Sequence, residues 1–132
     1  FRGKLLPADL LQVTRTASIG VMLLENKGLS YYYSLANKFF DYIHAATPQL
    51  VINFPEYLQL NEKYSVALTC SLEVQELQDK LNLLLTDKDL YRQLQENCRV
   101  ARQELNWQAE EQKLWRFYEQ LWKNKTPEKQ PV

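Results

Sequence analysis

Apolar positions in the first half of this chain fall into short runs; in the second half they form helical stripes. Ile19-Gly-Val-Met-Leu-Leu and Gln49-Leu-Val-Ile-Asn are unalternating runs of strand length. Such runs predict parallel strands covered on both faces, with the first in the middle of the sheet. Tyr64-Ser-Val-Ala-Leu-Thr-Cys is a weaker third candidate. Between the first two strands, Leu35, Phe39, Ile43 and Ala46 recur at spacings of four, four and three. That period predicts the apolar face of a helix starting near Ser34. Thr47-Pro48 stops it, because proline disfavours helical geometry in the residue before it. Upstream, Phe1-Arg-Gly-Lys-Leu reads as a strand tail entering a glycine turn. Pro7 suits a first helical position, and Asp9 complements the helix dipole. Leu10, Leu11 and Val13 are the expected buried side of that helix, which ends near Thr16. Glu25-Asn-Lys-Gly breaks the first strand, and Leu29 to Tyr33 is expected as a tyrosine-rich loop. Phe54-Pro-Glu-Tyr-Leu-Gln-Leu is a short helix or turn. Strands alternating with helices predict an α/β fold with a parallel sheet and right-handed crossovers.

From Ser71 the pattern is helical. Ser71 is a plausible N-cap, and Val74, Leu77, Leu81 and Leu84 make an apolar stripe. Thr86-Asp-Lys-Asp89 reads as a capping box with Asp in place of Glu. Tyr91, Leu94, Cys98, Ala101 and Leu105 continue at helical spacing, and Asn106 is expected to cap a third helix. Trp107, Leu114, Trp115, Tyr118, Leu121 and Trp122 form the apolar side of that helix. A stripe this broad at the rim of a small domain predicts docking on something else. Residues 124–132 read as a polar, disordered tail.

Composition narrows the class. At 132 residues the chain suits one domain. A formal net charge of zero argues against nucleic-acid binding through a basic surface. No apolar run is long enough to span a bilayer and no signal peptide is visible. The two cysteines, Cys70 and Cys98, lack metal-site spacing and are expected free and buried. Asn124-Lys-Thr matches a glycosylation sequon, a short and commonly idle pattern.

Candidate chemistry gathers on the helix after the first strand. Asn37, Lys38, Asp41 and His44 share one polar face at helical spacing. Ligands of parallel α/β sheets bind outside the carboxyl ends of the strands, where this helix begins. Taken alone, Lys38 and Asp41 could form only a surface pair. His44 has no Ser or Cys at useful spacing, so no nucleophile–base pair is indicated. No metal-ligand cluster and no glycine-rich phosphate loop is present. The three consecutive tyrosines, Tyr31, Tyr32 and Tyr33, could pack the loop or stack on a base or sugar.

Asn37-Lys-Phe-Phe-Asp-Tyr-Ile-His-Ala-Ala-Thr-Pro resembles the nucleotide-sugar segment of bacterial group 1 glycosyltransferases, written roughly Pro-Asn-Lys-Leu-Phe-Glu-Tyr-Met-Ala-Ala-Gly-Lys-Pro-Val-Ile. Here Ala36 replaces the proline, Asp41 the glutamate and Ala46 the glycine. Phe1-Arg-Gly-Lys-Leu-Leu-Pro resembles the family's Phe-x-Gly-x-Leu-Pro segment. Glu76-Leu, Leu83-Leu84, Asp87, Leu105-Asn-Trp107 and Leu114 to Tyr118 fall in step with its C-terminal pattern. The resemblance runs from Phe1 to about Trp122. It implies the GT-B architecture of two Rossmann-like domains. Residues 1–123 would be the C-terminal portion of the donor-binding domain, a partial Rossmann-like sheet, followed by the tail.

The resemblance implies a retaining, metal-independent transfer of a sugar from a UDP-, GDP- or ADP-linked donor, with no cofactor. Ser34, Leu35 and Ala36 amides would hold the distal phosphate at the helix N-terminus, with Asn37 alongside and Lys38 adding charge. Asp41 would accept the ribose hydroxyls. The first acid of the family's paired-glutamate motif falls at Tyr33, leaving Glu25 as the nearest alternative. No catalytic residue is assigned within this chain. The acceptor domain and the upstream basic residues would lie outside it, and the Trp107, Trp115 and Trp122 helix would cross toward that domain. Surface polysaccharide assembly and a cytoplasmic location, or one peripheral at the inner membrane, are the corresponding expectations. Two alternatives stand beside this reading: a non-catalytic α/β interaction module, and part of a sugar-nucleotide epimerase of similar shape.

Overall fold

The computed structural model describes residues 3–125. The strand tail expected at Phe1 and Arg2 and the expected polar tail from residue 126 lie outside the described residues; residues 124 and 125, also expected in that tail, instead end the final helix. The element order is α1 (Pro7–Arg15), β1 (Gly20–Met22), α2 (Leu29–Tyr32), α3 (Asn37–Ala45), β2 (Gln49–Ile52), α4 (Pro55–Tyr64), β3 (Ala67–Cys70), α5 (Val74–Thr86), α6 (Lys88–Glu104) and α7 (Trp107–Lys125). The chain divides into two compact units, Phe1–Arg102 and Gln103–Val132. The first is an α/β unit with a three-stranded parallel sheet in the order β1-β2-β3. The second is helical.

The central strand is β2, not β1. All four β2 residues are buried, whereas Val21 in β1 is 48% exposed. Unalternating hydrophobicity marks both strands alike. Which one gains a neighbour on each side depends on pairing, and β1 pairs only with β2. The third strand is also shorter than its apolar run. Tyr64 closes α4, and Ser65 turns the chain in the left-handed region before β3 starts at Ala67.

The sheet is covered on both faces, as parallel sheets require. Leu50 and Cys70 meet Leu84 of α5 and Leu94 of α6 in one apolar cluster. Ile19, Leu23, Leu68, Leu77 and Leu90 pack around it. Of the stripe expected on α5, only Leu84 is buried, and Val74 is exposed. On α6 the middle of the expected stripe holds: Leu94, Cys98 and Ala101 are buried, whereas Tyr91 is half-buried and Leu105 lies past the helix end at Glu104. The opposite face belongs to α3. Phe39 and Ile43 are fully buried there, and the Gln49 side chain donates to the Phe39 carbonyl at 3.2 Å. Tyr42 lies directly over Gly20, where a Cβ would stand 2.6 Å from the ring. This approach, and not a special backbone angle, is what requires glycine at position 20.

The caps show where local spelling misleads. Thr86 is the last residue of α5, its hydroxyl donating to Asn82 O at 2.7 Å. Asp87 caps α6, accepting from the Asp89 and Leu90 amides at 3.1 and 2.9 Å. Ser71 lies before the N-cap of α5, which is Glu73. Asn106 caps α7 as expected, accepting from the Ala109 amide at 2.9 Å. In α1 the buried residue is Thr14, while Leu10 is exposed. The Thr14 carbonyl accepts from the buried Thr47 hydroxyl at 3.1 Å, which ties α1 to the turn after α3.

That turn carries Ala46 in the left-handed region, φ 54° and ψ 39°. A Cβ in that region is strained, and glycine or asparagine is the usual residue at such a helix end. Both cysteines are free and buried. Burial pushes the Cys70 thiol up and the Cys98 thiol up to about 12.

Gly20→Ala is expected to destabilise the chain by about 1–3 kcal/mol, because Tyr42 must move. Chemical denaturation reads this directly, and an unchanged midpoint would mean that Tyr42 does not close on β1.

Candidate functional site

The carboxyl ends of the strands and the start of α3 are built by three loops. After β1, Asn26 Oδ1 accepts from the Gly28 amide at 3.3 Å, and Gly28 takes φ 134°. Only glycine enters that region without strain. The tyrosines that follow are not in a loop: Leu29–Tyr32 is one helical turn, α2. Tyr32 packs on Phe54 at 5.2 Å between ring centroids and meets Tyr33 edge-on at 5.0 Å. Tyr31 and Tyr33 remain exposed.

Because α2 takes up residues 29–32, α3 begins at Asn37 and not near Ser34. This corrects the assignment of two amides. Ser34 closes α2: its amide and hydroxyl both donate to Tyr31 O, at 3.2 and 2.7 Å. The Ala36 amide donates to the Tyr57 hydroxyl at 2.9 Å. Neither is free for a phosphate. The first turn closes with Phe39 N–H donating to Ala36 O at 3.0 Å. No side chain caps α3. Among the described residues, the Leu35, Asn37 and Lys38 amides are left without a protein acceptor. Uncapped amides at a helix start carry partial positive charge and favour an anion.

Asn37, Lys38 and Asp41 all lie exposed on α3, and His44 is half-buried. Among the described residues no ion pair joins Lys38 to Asp41, so the plain surface pair is not formed. Asp41 borders a concavity of about 170 Å³ against α1, walled by Leu5, Pro7, Leu10, Leu11 and Thr14. This exposes the role of α1 as an apolar wall beside a carboxylate, which the hydrophobic pattern of α1 alone did not reveal. A larger groove of about 460 Å³ lies elsewhere, between Ser18 and Ile19 and the α5–α6 corner. It is at the amino end of β1, away from the strand ends where α/β ligands sit.

Among the described residues no ion pair or hydrogen bond joins Glu25 to Asp41. Glu25 pairs with Lys27 at 2.8 Å on the exposed loop. At the end of β3, the Glu76 carboxylate accepts from the Ser71 amide at 3.0 Å and from the Ser71 hydroxyl. These bonds, the hydroxyl one first, hold the Glu76 carboxyl below the usual range. Its charge in turn adds to burial in raising the neighbouring Cys70 thiol. Among the described residues no group of three or more His, Cys, Asp and Glu side chains clusters as a metal site. No described helix is long and apolar enough to cross a membrane.

Comparison of the chain with protein-family models, curated proteins and solved structures finds no match.

Tyr57→Phe is expected to cost about 0.5–1.5 kcal/mol, the net worth of one hydrogen bond. Loss of protection at the Ala36 amide, read by hydrogen exchange, should accompany it; unchanged protection would show that another group holds that amide. The Glu76 linkage gives a second expectation. Its folded pKa is depressed below an unfolded value of about 4.3. The stabilisation is therefore present above that value and is lost as pH falls through the folded pKa. Wild type should exceed Glu76→Gln in urea midpoint near neutrality, and the gap should close in acid. A gap independent of pH would remove the carboxylate from this role.

Proposed function

We propose that this chain is the donor-binding part of a glycosyltransferase of the GT-B architecture, acting on a nucleotide-diphosphate sugar. The observation that carries the reading is the start of α3. Free amides at Asn37 and Lys38, the Lys38 side chain, and Asp41 one turn on stand together at the carboxyl side of a parallel sheet. The phosphate contacts move from Ser34 and Ala36 to Leu35, Asn37 and Lys38. These donors and the lysine charge would neutralise the diphosphate. Asp41 would accept both ribose hydroxyls, leaving the base to lie along the apolar wall of Leu10 and Leu11. Stabilising charge on the departing diphosphate is what such a site contributes to sugar transfer.

On this reading the retaining, metal-independent transfer needs an acceptor domain and upstream basic residues, so the 132-residue chain alone is inactive. A role in surface polysaccharide assembly at the cytoplasmic side of the inner membrane goes with the resemblance. Glu25 has no part in the proposed site while Lys27 holds it.

Calorimetric titration with UDP, GDP and ADP tests the reading. One of the three should bind, and Asp41→Ala should weaken it roughly tenfold or more, from charge-assisted bonds worth about 1.5–3 kcal/mol. Equal binding by both proteins would strip Asp41 of its role. Absence of binding, also on a chain extended upstream, would end the proposal in favour of an interaction module.

A further inference from the structure

The groove of about 460 Å³ at the amino end of β1 has no part in the site at α3. Its volume lies within the roughly 300–1,000 Å³ typical of small-molecule pockets. One wall is a single face of α6, where Lys88, Tyr91, Arg92 and Gln95 follow one another at helical spacing. The floor is apolar, formed by Ile19 before β1 and by Leu84 and Leu85 near the end of α5. Leu84 belongs to the buried core cluster, and Ile19 packs against it, so this floor is fixed from below. The Tyr91 hydroxyl donates to Ser18 O at 2.7 Å, which ties α6 to the approach to β1.

Both charges in the lining are positive, and no described carboxylate lines the groove. Lys88 has no ion-pair partner among the described residues. Arg92 meets Asp89 at 3.6 Å, with side chains 74% and 96% exposed. Such a surface pair is worth little, and a guanidinium carries five donors, so Arg92 keeps most of them for a ligand. Asp87, the other carboxylate beside Lys88 in the chain, is spent on the Asp89 and Leu90 amides. Gln95 adds a half-buried amide without a hydrogen-bond partner among the described residues.

We propose that this groove binds a small phosphate monoester with an apolar body. The phosphate bridges Lys88 and Arg92, and the hydrocarbon part lies on Ile19, Leu84 and Leu85. A phosphate monoester carries roughly two negative charges at neutral pH, matching the two cations of the lining. Lys88 and Arg92 stand four residues apart on α6, a spacing that lets two side chains meet one group. A guanidinium and an ammonium supply the charge-assisted bonds that a phosphate takes best. An anionic membrane surface is the poorer match, because it would also press against the exposed carboxylates of Asp87 and Asp89. The inference holds whether or not a nucleotide binds at α3.

Nuclear magnetic resonance titration of the full 132-residue chain with phenyl phosphate is the test, with inorganic phosphate and phenol as the charge-only and apolar-only probes. Saturable shifts are expected at Ser18, Ile19 and Gln95. Each half-probe should bind at least about tenfold more weakly. Lys88→Gln and Arg92→Gln should each weaken phenyl phosphate roughly threefold or more, with circular dichroism unchanged. Asp89→Asn should tighten it by releasing Arg92. Phosphatidylcholine vesicles carrying phosphatidic acid should not capture the chain. Shifts confined to Leu35, Asn37 and Lys38 would overturn the proposal, since they would give the anion to α3. So would absence of binding, equal binding of inorganic phosphate, or indifference to both cation changes. Vesicle capture lost in Lys88→Gln would overturn it too, giving the groove to a membrane surface.

Discussion

The hydroxyl of Tyr57 holds the α3 start in place. Tyr57 is fully buried on α4, its ring stands 5.5 Å from Phe39, and it accepts the Ala36 amide. One side chain thus links the helix after β2 to the first turn of the helix before it. A buried amide without an acceptor is costly, so the chain path around Ala36 has little freedom while Tyr57 stays in place. The orientation of Asn37, Lys38 and Asp41 follows from that anchor. The site is therefore positioned from the core, through Phe39 and Tyr57, and not by the mobile ends of the polar side chains themselves.

The same anchoring explains which donors remain. Ser34 is spent in ending α2 and Ala36 in binding Tyr57. What is left is a short arc of backbone N–H groups beyond the reach of any capping side chain. A Ser or Asp at position 36 would cap α3 and stabilise it, as N-caps generally do. Ala36 leaves the end open, with its donors available to an outside acceptor.

Much of the fold was legible in the sequence because the governing signals are local and periodic. Leu35 precedes α3 and Ala46 ends it, but Phe39 and Ile43 line its buried side as their spacing indicates. Leu94, Cys98 and Ala101 do the same for α6. Proline, strand-length apolar runs and alternation with helices fixed the parallel α/β class. The misses lie where a residue's role depends on its neighbours in space. Val21 reads as central, but strand order makes it an edge. Ser34 reads as a helix start, but the turn formed by the tyrosines claims it first. Thr86 and Asp87 are both credible caps, and the point where α5 ends decides between them. At the candidate site, the lysine and aspartate were legible from shared periodicity. The wall supplied by α1 was not, since it is a tertiary neighbour with an unremarkable pattern of its own.

The two buried thiols give the chain an internal clock. A thiolate is the reactive form, and with the Cys98 thiol pushed up to about 12 almost none exists in the folded protein near neutrality. Cys70 closes β3 and Cys98 rides on α6, where its thiol approaches the Val66 carbonyl. Modification at either position must await separation of the sheet from its helical cover. Alkylation rates therefore time the opening of that layer, residue by residue, without any introduced label.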